Sequence, residues 1–224
     1  MRNIKTAEIV QVDRRLRRIF GEPHRPRRDP VSQLVATMLS QATTDIQTAR
    51  SFKELRRRFP TWERVSDAPV NQIAQAIRSS GLSRQKAPRI KKALLHITRE
   101  RGRIELRFLK RMSAEQGMQW LMQIAGVGPK TASIVLLFSF DKPLFPVDTH
   151  ISRVTKRLGW ISQDTSAEKA HDLLRTAVPP QIHYRLHLNL IEHGREICQA
   201  RKPRCEVCPL TDLCEYYKSA KGQV

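Results

Sequence analysis

Two groups of residues have types and spacings that could do chemistry. The first lies in Gln123-Ile-Ala-Gly-Val-Gly-Pro-Lys-Thr-Ala132. Gly126 and Gly128 predict a tight reversal, since glycine alone takes positive φ without a Cβ penalty. Pro129 suits the first position of a helix, where its missing N–H costs nothing. The amides of such a turn, with the helix N-terminus behind it, form a site for a phosphate. Lys130 falls at the second position of that helix, where the terminus and partial burial both disfavour a cation. A lysine that is neutral part of the time is a nucleophile toward carbonyl-like carbon. Asp148 stands eighteen residues later, in Pro146-Val-Asp-Thr-His150. Its plain structural role would be to N-cap the helix carrying Ile151, Val154 and Leu158.

The second group is Cys198, Cys205, Cys208 and Cys214, spaced C-x6-C-x2-C-x5-C. Clustering within 17 residues argues for metal rather than disulfides in a reducing compartment. Zinc sites usually split their ligands into two close pairs. One close pair flanked by two singles in a compact loop suits a cuboidal [4Fe–4S] cluster. Spacing alone leaves cluster, zinc and free thiols open. The x6 loop carries Arg201, Lys202 and Arg204, which suit phosphate contact or, equally, a solvated basic loop.

The elements that must position these groups read as helices throughout, with no strand-like alternation. Ile9, Val12, Leu16, Ile19 and Phe20 make one stripe. After a basic linker, Asp29 and Pro30 read as a cap and first turn, followed by Val31, Leu34, Val35, Met38 and Leu39 at amphipathic spacing. Ser40-Gln-Ala-Thr-Thr-Asp45 is a polar corner. Further stripes are Ile46, Ala49, Phe52, Leu55 and Phe59; Val70, Ile73, Ala74 and Ile77, ended by Gly81; and Ala87, Ile90, Leu94 and Ile97. Ser113-Ala-Glu-Gln116 and Thr165-Ser-Ala-Glu168 read as capping boxes. Ala132 to Phe140 reads as a buried helix, and a last long helix runs from about His183 to His193, stopping at Gly194. About ten helices and an all-α fold are expected. The seven histidines fall at no ligand spacing.

With 41 Lys plus Arg against 21 Asp plus Glu, the 224-residue chain carries a formal charge of +20. That excess points to a polyanionic partner. No apolar run reaches membrane-spanning length, and Met1 to Lys5 lacks the apolar core of a signal peptide. A cytoplasmic, nucleoid-associated monomer is expected.

Taken together the motifs resemble the endonuclease III family of DNA glycosylases, the iron–sulfur branch of the helix-hairpin-helix superfamily. The matching residues are Gly126-Val-Gly-Pro-Lys-Thr-Ala132, Val147-Asp-Thr-His150, Glu192-His-Gly-Arg195, Ala200-Arg-Lys-Pro-Arg-Cys205 and the whole cysteine spacing. The resemblance implies two helical lobes with a DNA-binding cleft: a barrel over residues 23–142 with its helix-hairpin-helix at about 114–140, and a cluster lobe of residues 1–22 plus 143–224. It implies double-stranded DNA with damaged bases or abasic sites as partner, and a [4Fe–4S] cluster on the four cysteines. It also implies excision of a damaged base, an oxidised pyrimidine, through a Lys130 Schiff base, with Asp148 stabilising positive charge on the sugar. DNA contacts are implied at Gln41, Ala42, Leu82, Gly126, Val127, Gly128, Thr131, Arg201, Lys202 and Arg204.

Two positions depart from the family pattern. Ala42 stands where the family usually carries an amide that fills the space left by the flipped base, and Ser83 where it carries an aromatic. Shifted substrate choice (alkylated purines or mismatched thymine) and a helix-hairpin-helix DNA-binding protein with weak or no catalysis are the alternatives. The adenine-specific relatives are rejected because they typically lack the hairpin lysine.

Overall fold

The computed structural model describes residues 5–25 and 28–221. Among them are twelve α-helices, five short 3-10 turns and no strand, so the chain is all-α with two more helices than the periodicity suggested. It divides into two compact units, Arg27–Lys142 and Met1–Pro26 with Pro143–Val224. The first helix, α1 (Thr6–Phe20), belongs with the C-terminal helices and is taken with them below.

The unit Arg27–Lys142 contains α2 (Pro30–Leu39), α3 (Asp45–Arg58), α4 (Trp62–Asp67), α5 (Val70–Ala76), α6 (Ser83–Arg101), α7 (Ala114–Met122) and α8 (Pro129–Phe140). Asp29 caps α2 as read, its Oδ1 accepting from the amides of Val31 and Ser32 at 3.0 and 3.1 Å. Ser113 and Gln116 form the expected capping box of α7. α8 is the helix the others bury. Ala132, Val135 and Leu136 are inaccessible, and α2 and α7 pack directly against it. A built Cβ on Gly117 would stand 2.9 Å from Leu136 Cδ2, so a glycine is what lets α7 approach this closely.

The other unit holds α1, α9 (Thr149–Arg157), α10 (Ala167–Ala177), α11 (His183–Glu196) and α12 (Glu215–Lys221). α11 packs on both α1 and α9. Ile9, Val12, Leu16, Ile151, Val154, Leu186 and Leu190 form the centre of its core, and Cys198, Cys208 and Cys214 rest against it. Arg185 of α11 pairs with the buried Asp13 of α1, Nη2 to Oδ2 at 2.7 Å, which explains a carboxylate on the inner face of α1.

Several boundaries differ from the sequence reading. Ile46 is 83% exposed, because the buried face of α3 runs through Ser51 and Leu55, and Ile46 sits in the first turn beside the polar corner. α10 is capped by Ser166, not Thr165, whose hydroxyl pairs with Ser162 at 2.8 Å instead. α5 ends at Ala76, and Gly81 closes a separate 3-10 turn, Arg78–Ser80. α11 does not stop at Gly194 but continues through it to Glu196.

Gly194 is there for packing rather than termination. A built Cβ would lie 2.9 Å from His150 Cβ in the first turn of α9. Gly194→Ala gains ~1 kcal/mol of helix propensity, but the neighbouring Cβ is fixed to backbone and overpacking costs ~1–3 kcal/mol. The variant should be net destabilised in urea unfolding. Unchanged or raised stability would mean that α9 can retreat from α11.

Candidate functional site

The turn between α7 and α8 is anchored from below. Ile124 and Val127 point into the core at 1% and 5% exposure, and the Val127 amide donates to the Ile124 carbonyl at 3.0 Å. Gly126 has φ +86°, as the reversal requires, and a side chain there would also touch Arg89 of α6. Gly128 does not need positive φ. Its φ is −95° and a built Cβ meets nothing within 4 Å. The protein thus gives no reason for a glycine at 128, and what a side chain would occupy is open space in front of a helix terminus. No side chain caps α8, Gly128 is its N-cap and Pro129 its first residue. The first amides of the helix therefore lack intrahelical partners, as an anion site requires.

Lys130 is exposed at this terminus, so the partial burial expected of it is not found. Thr131 and Val127 are buried, and any contact they make with a ligand uses main-chain atoms. The corner after α2 leaves Gln41 half-buried and Ala42 exposed, with Ala42 at φ 51°. Leu82, just before α6, is 52% exposed at φ 48°. Left-handed backbone is uncommon for residues other than glycine, and asparagine is the side chain that best tolerates it. The geometry at 42 therefore suits the amide that this chain lacks.

A residue that sequence reading missed lies between these loops. Lys86 of α6 is only 3% exposed, and its Nζ donates to the carbonyls of Leu39 and Ser80, both at 2.7 Å. Burial holds its pKa below the usual lysine range. The available signal was register: Lys86 stands four residues before Ile90 on the buried stripe of α6.

In the other unit, Asp148 caps α9, its Oδ1 accepting from the Ile151 amide at 2.8 Å. The side chain is partly accessible, so one carboxylate oxygen is committed to the helix while the group still reaches solvent. The four cysteines are free thiols lining one cavity, together with Arg157, His193, Leu210 and Tyr217. Among the described residues, no three His, Cys, Asp or Glu side chains converge tightly enough to hold a single ion. Four thiols facing one cavity without meeting at one point fit a cluster several atoms wide better than one zinc. Burial pushes the Cys208 thiol up to about 11 and raises Cys205 and Cys214, so the charge of bound iron is what would keep them as thiolates.

Arg157 braces this loop, donating to the carbonyls of Gln199 and Ala200 at 2.7 and 3.1 Å and to Cys198 Sγ at 3.2 Å. His193 Nε2 lies 3.8 Å from Cys208 Sγ. Burial, then Arg153, lowers the His193 pKa to about 4, so it stands there as a neutral ring. Arg201, Lys202 and Arg204 are all exposed, and Arg204 also borders the cysteine cavity.

Comparison with known proteins decides the class. Residues 35–180 match the family of HhH-GPD superfamily base excision DNA repair proteins, and residues 198–214 match the iron–sulfur binding domain of endonuclease III. Endonuclease III of Thermotoga maritima is 33% identical over 218 residues, covering 96% of this chain and 97% of the relative. The chain belongs to the endonuclease III family. A relative from Arabidopsis thaliana is 37% identical over 187 residues, matched over 79% of this chain and 64% of its own length. A solved structure described as a trapped endonuclease III–DNA covalent intermediate superimposes with a TM-score of 0.84 at 30% identity, over 98% of this chain and 100% of that one. As an endonuclease III, the protein is a base-excision DNA glycosylase and abasic-site lyase acting on DNA, and it carries a [4Fe–4S] cluster. Among the described residues, no helix is long and apolar enough to cross a membrane.

The open space at Gly128 makes a direct test of the turn. Gly128→Ala should leave stability within ~0.5 kcal/mol, as for surface changes without a structural partner, while weakening binding to undamaged duplex measurably. Full-strength binding would mean that the phosphate does not approach the α8 terminus from this side.

Proposed function

We propose that Lys130 is the nucleophile and Asp148 its electrostatic partner in excising oxidised pyrimidines from duplex DNA. The observation that carries this reading is an exposed lysine at an uncapped helix terminus, beside open space at Gly128. The amides of α8 hold a backbone phosphate and the damaged nucleotide is turned out of the duplex. Lys130 Nζ forms a bond to C1′ as the bond from C1′ to the base breaks, and the base departs with a proton. Loss of a proton from Nζ and opening of the sugar give the Schiff base. Loss of a C2′ proton then expels the 3′ phosphate by β-elimination. Asp148 stabilises positive charge on the sugar before the new bond is complete. The cluster supplies no step. It holds the loop bearing Arg201, Lys202 and Arg204, and these three cations contact phosphates.

Ala42 shapes the substrate range. Flipping costs a few kcal/mol, least for damaged or mismatched bases, and a methyl group fills little of the vacated space. The enzyme therefore favours abasic sites and lesions that already distort the duplex. It works in the cytoplasm, associated with the nucleoid.

Borohydride should trap a covalent complex with abasic-site DNA, and Lys130→Gln should abolish it while binding persists. Asp148→Asn should slow base release ~10²-fold, the scale of losing electrostatic stabilisation of developing charge, with little loss of stability because Asn also caps helices. Normal trapping by Lys130→Gln would place the nucleophile elsewhere. Neutralising Arg201, Lys202 and Arg204 together should reduce the salt slope of duplex binding by roughly two to three, at about 0.9 per phosphate contact; an unchanged slope would leave the loop facing solvent.

A further inference from the structure

We infer that Lys86 is a positioning residue for base extrusion, holding the Gln41–Ala42 corner and Leu82 together in the shape that enters the duplex. The inference rests on the proposed function, since it concerns how the DNA is opened.

Lys86 is almost fully buried, and its Nζ donates to two carbonyls from segments far apart in sequence, Leu39 and Ser80, at 2.7 Å each. The two oxygens are therefore no further apart than twice that distance. Leu39 is the last residue of α2, and the corner with Gln41 and Ala42 begins immediately after it. Ser80 ends the 3-10 turn that leads through Gly81 into Leu82. One ammonium group thus fixes the starting points of both loops relative to each other.

Both loops then contain a non-glycine residue in left-handed backbone, Ala42 at φ 51° and Leu82 at φ 48°. Such conformations persist only where surrounding contacts over-determine them. The Ser80 side of the clamp is itself fixed: Ser80 Oγ donates to the Ile77 carbonyl at 2.8 Å, and Ser79 and Ser51 hydroxyls pair at 2.6 Å. Two residues on from this turn, Leu82 presents half its surface to solvent, where an apolar side chain gains nothing in the free protein. Apolar side chains offered in this way are what proteins insert between base steps.

Burying an ammonium is costly even when it is hydrogen-bonded, and removing it would leave the Leu39 and Ser80 carbonyls without this donor. What an apolar side chain cannot do is hold two carbonyls of separate loops at one point. α6 also touches the hairpin one turn further on, where Arg89 lies against Gly126. The first two turns of α6 therefore reference all three of this unit's proposed DNA contacts to one helix.

The test compares a substrate that must be opened with one that need not be. Lys86→Met keeps length and removes the cation and its donors; Lys86→Arg keeps both. Each is assayed as purified holoprotein for single-turnover base release from a duplex with one paired oxidised pyrimidine, and for borohydride trapping on single-stranded DNA with a preformed abasic site. Lys86→Met should lose at least about ten-fold in duplex base release, since a ~1 Å misplacement can cost ~10²-fold. Its trapping on the single strand should stay within about two-fold of wild type, and Lys86→Arg should recover most of the duplex rate. An equal fall on both substrates, an unchanged duplex rate, or failure of both variants to fold would overturn the inference, the last because Lys86 would then hold the fold rather than the loops. Wild-type protein that neither releases base nor traps would overturn the proposed function and this inference together. Wild-type activity without a split between substrates in Lys86→Met would overturn this inference alone.

Discussion

The burial of α8 is the constraint on which its unit depends: Ala132, Val135 and Leu136 are inaccessible, and α2 and α7 pack directly against it. Its polar first turn has to surface somewhere, and the chain surfaces it at Gly128-Pro-Lys without any side chain to cap it. Free amides at the N-terminus of the helix carry the positive end of its dipole. The close approach of α7 at Gly117 lets the preceding turn be short, so Ile124 and Val127 can plug the core directly below it. An uncapped N-terminus is thus what reaches the surface when the most hydrophobic helix of this unit is buried.

The unit containing the cysteines meets a different constraint. Its loop from Cys198 to Cys214 has only two short 3-10 turns, and so little regular structure to satisfy its own backbone. Arg157 and Arg153 reach over from α9 to do so, Arg153 Nε donating to the Cys198 carbonyl at 2.9 Å and Nη2 to the Gly194 carbonyl at 2.7 Å. Glycine at 194 is what allows α9 and α11 to come close enough for that reach. With the inner face of the loop given largely to thiols and arginines of the fold, Arg201 and Lys202 are left exposed, while Arg204 is exposed and also borders the cavity. Arg157 also lies 4.7 Å from the ring centroid of Tyr216, which ties α12 to the same brace.

How much of this was legible in the sequence follows from which interactions are local. Helices with long periodic stripes, the Asp29 and Ser113 caps and the helix-hairpin-helix were readable because neighbours in sequence determine them. Ile46 was misread because its spacing from Ala49 fits a stripe, while the rest of the buried face, Ser51 and Leu55, is set by what packs on α3. Gly194 looked like a stop because glycine favours helix ends, yet its reason is His150, forty-four residues earlier. Gly128 was read for the wrong property, freedom in φ instead of the absence of a side chain. Lys86 could not be assigned a role, since its partners at 39 and 80 are brought to it only by tertiary packing.

In the proposed reaction, the same residue supplies a grip and a nucleophile. Pro129 has no N–H, so the first amides that α8 can offer to a phosphate are those of Lys130 and Thr131. The Thr131 side chain is buried, which leaves the Lys130 side chain as the exposed group on that first turn able to follow the bound backbone. A phosphate held by the Lys130 amide fixes where its own side chain can reach along the strand. The sugar that meets Nζ is then chosen by covalent geometry, a few bonds from the point of grip, rather than by a separate binding element. In that proposal, specificity for the right nucleotide falls to the step before attack, the opening of the duplex, the step assigned above to Ala42, Leu82 and the buried lysine behind them.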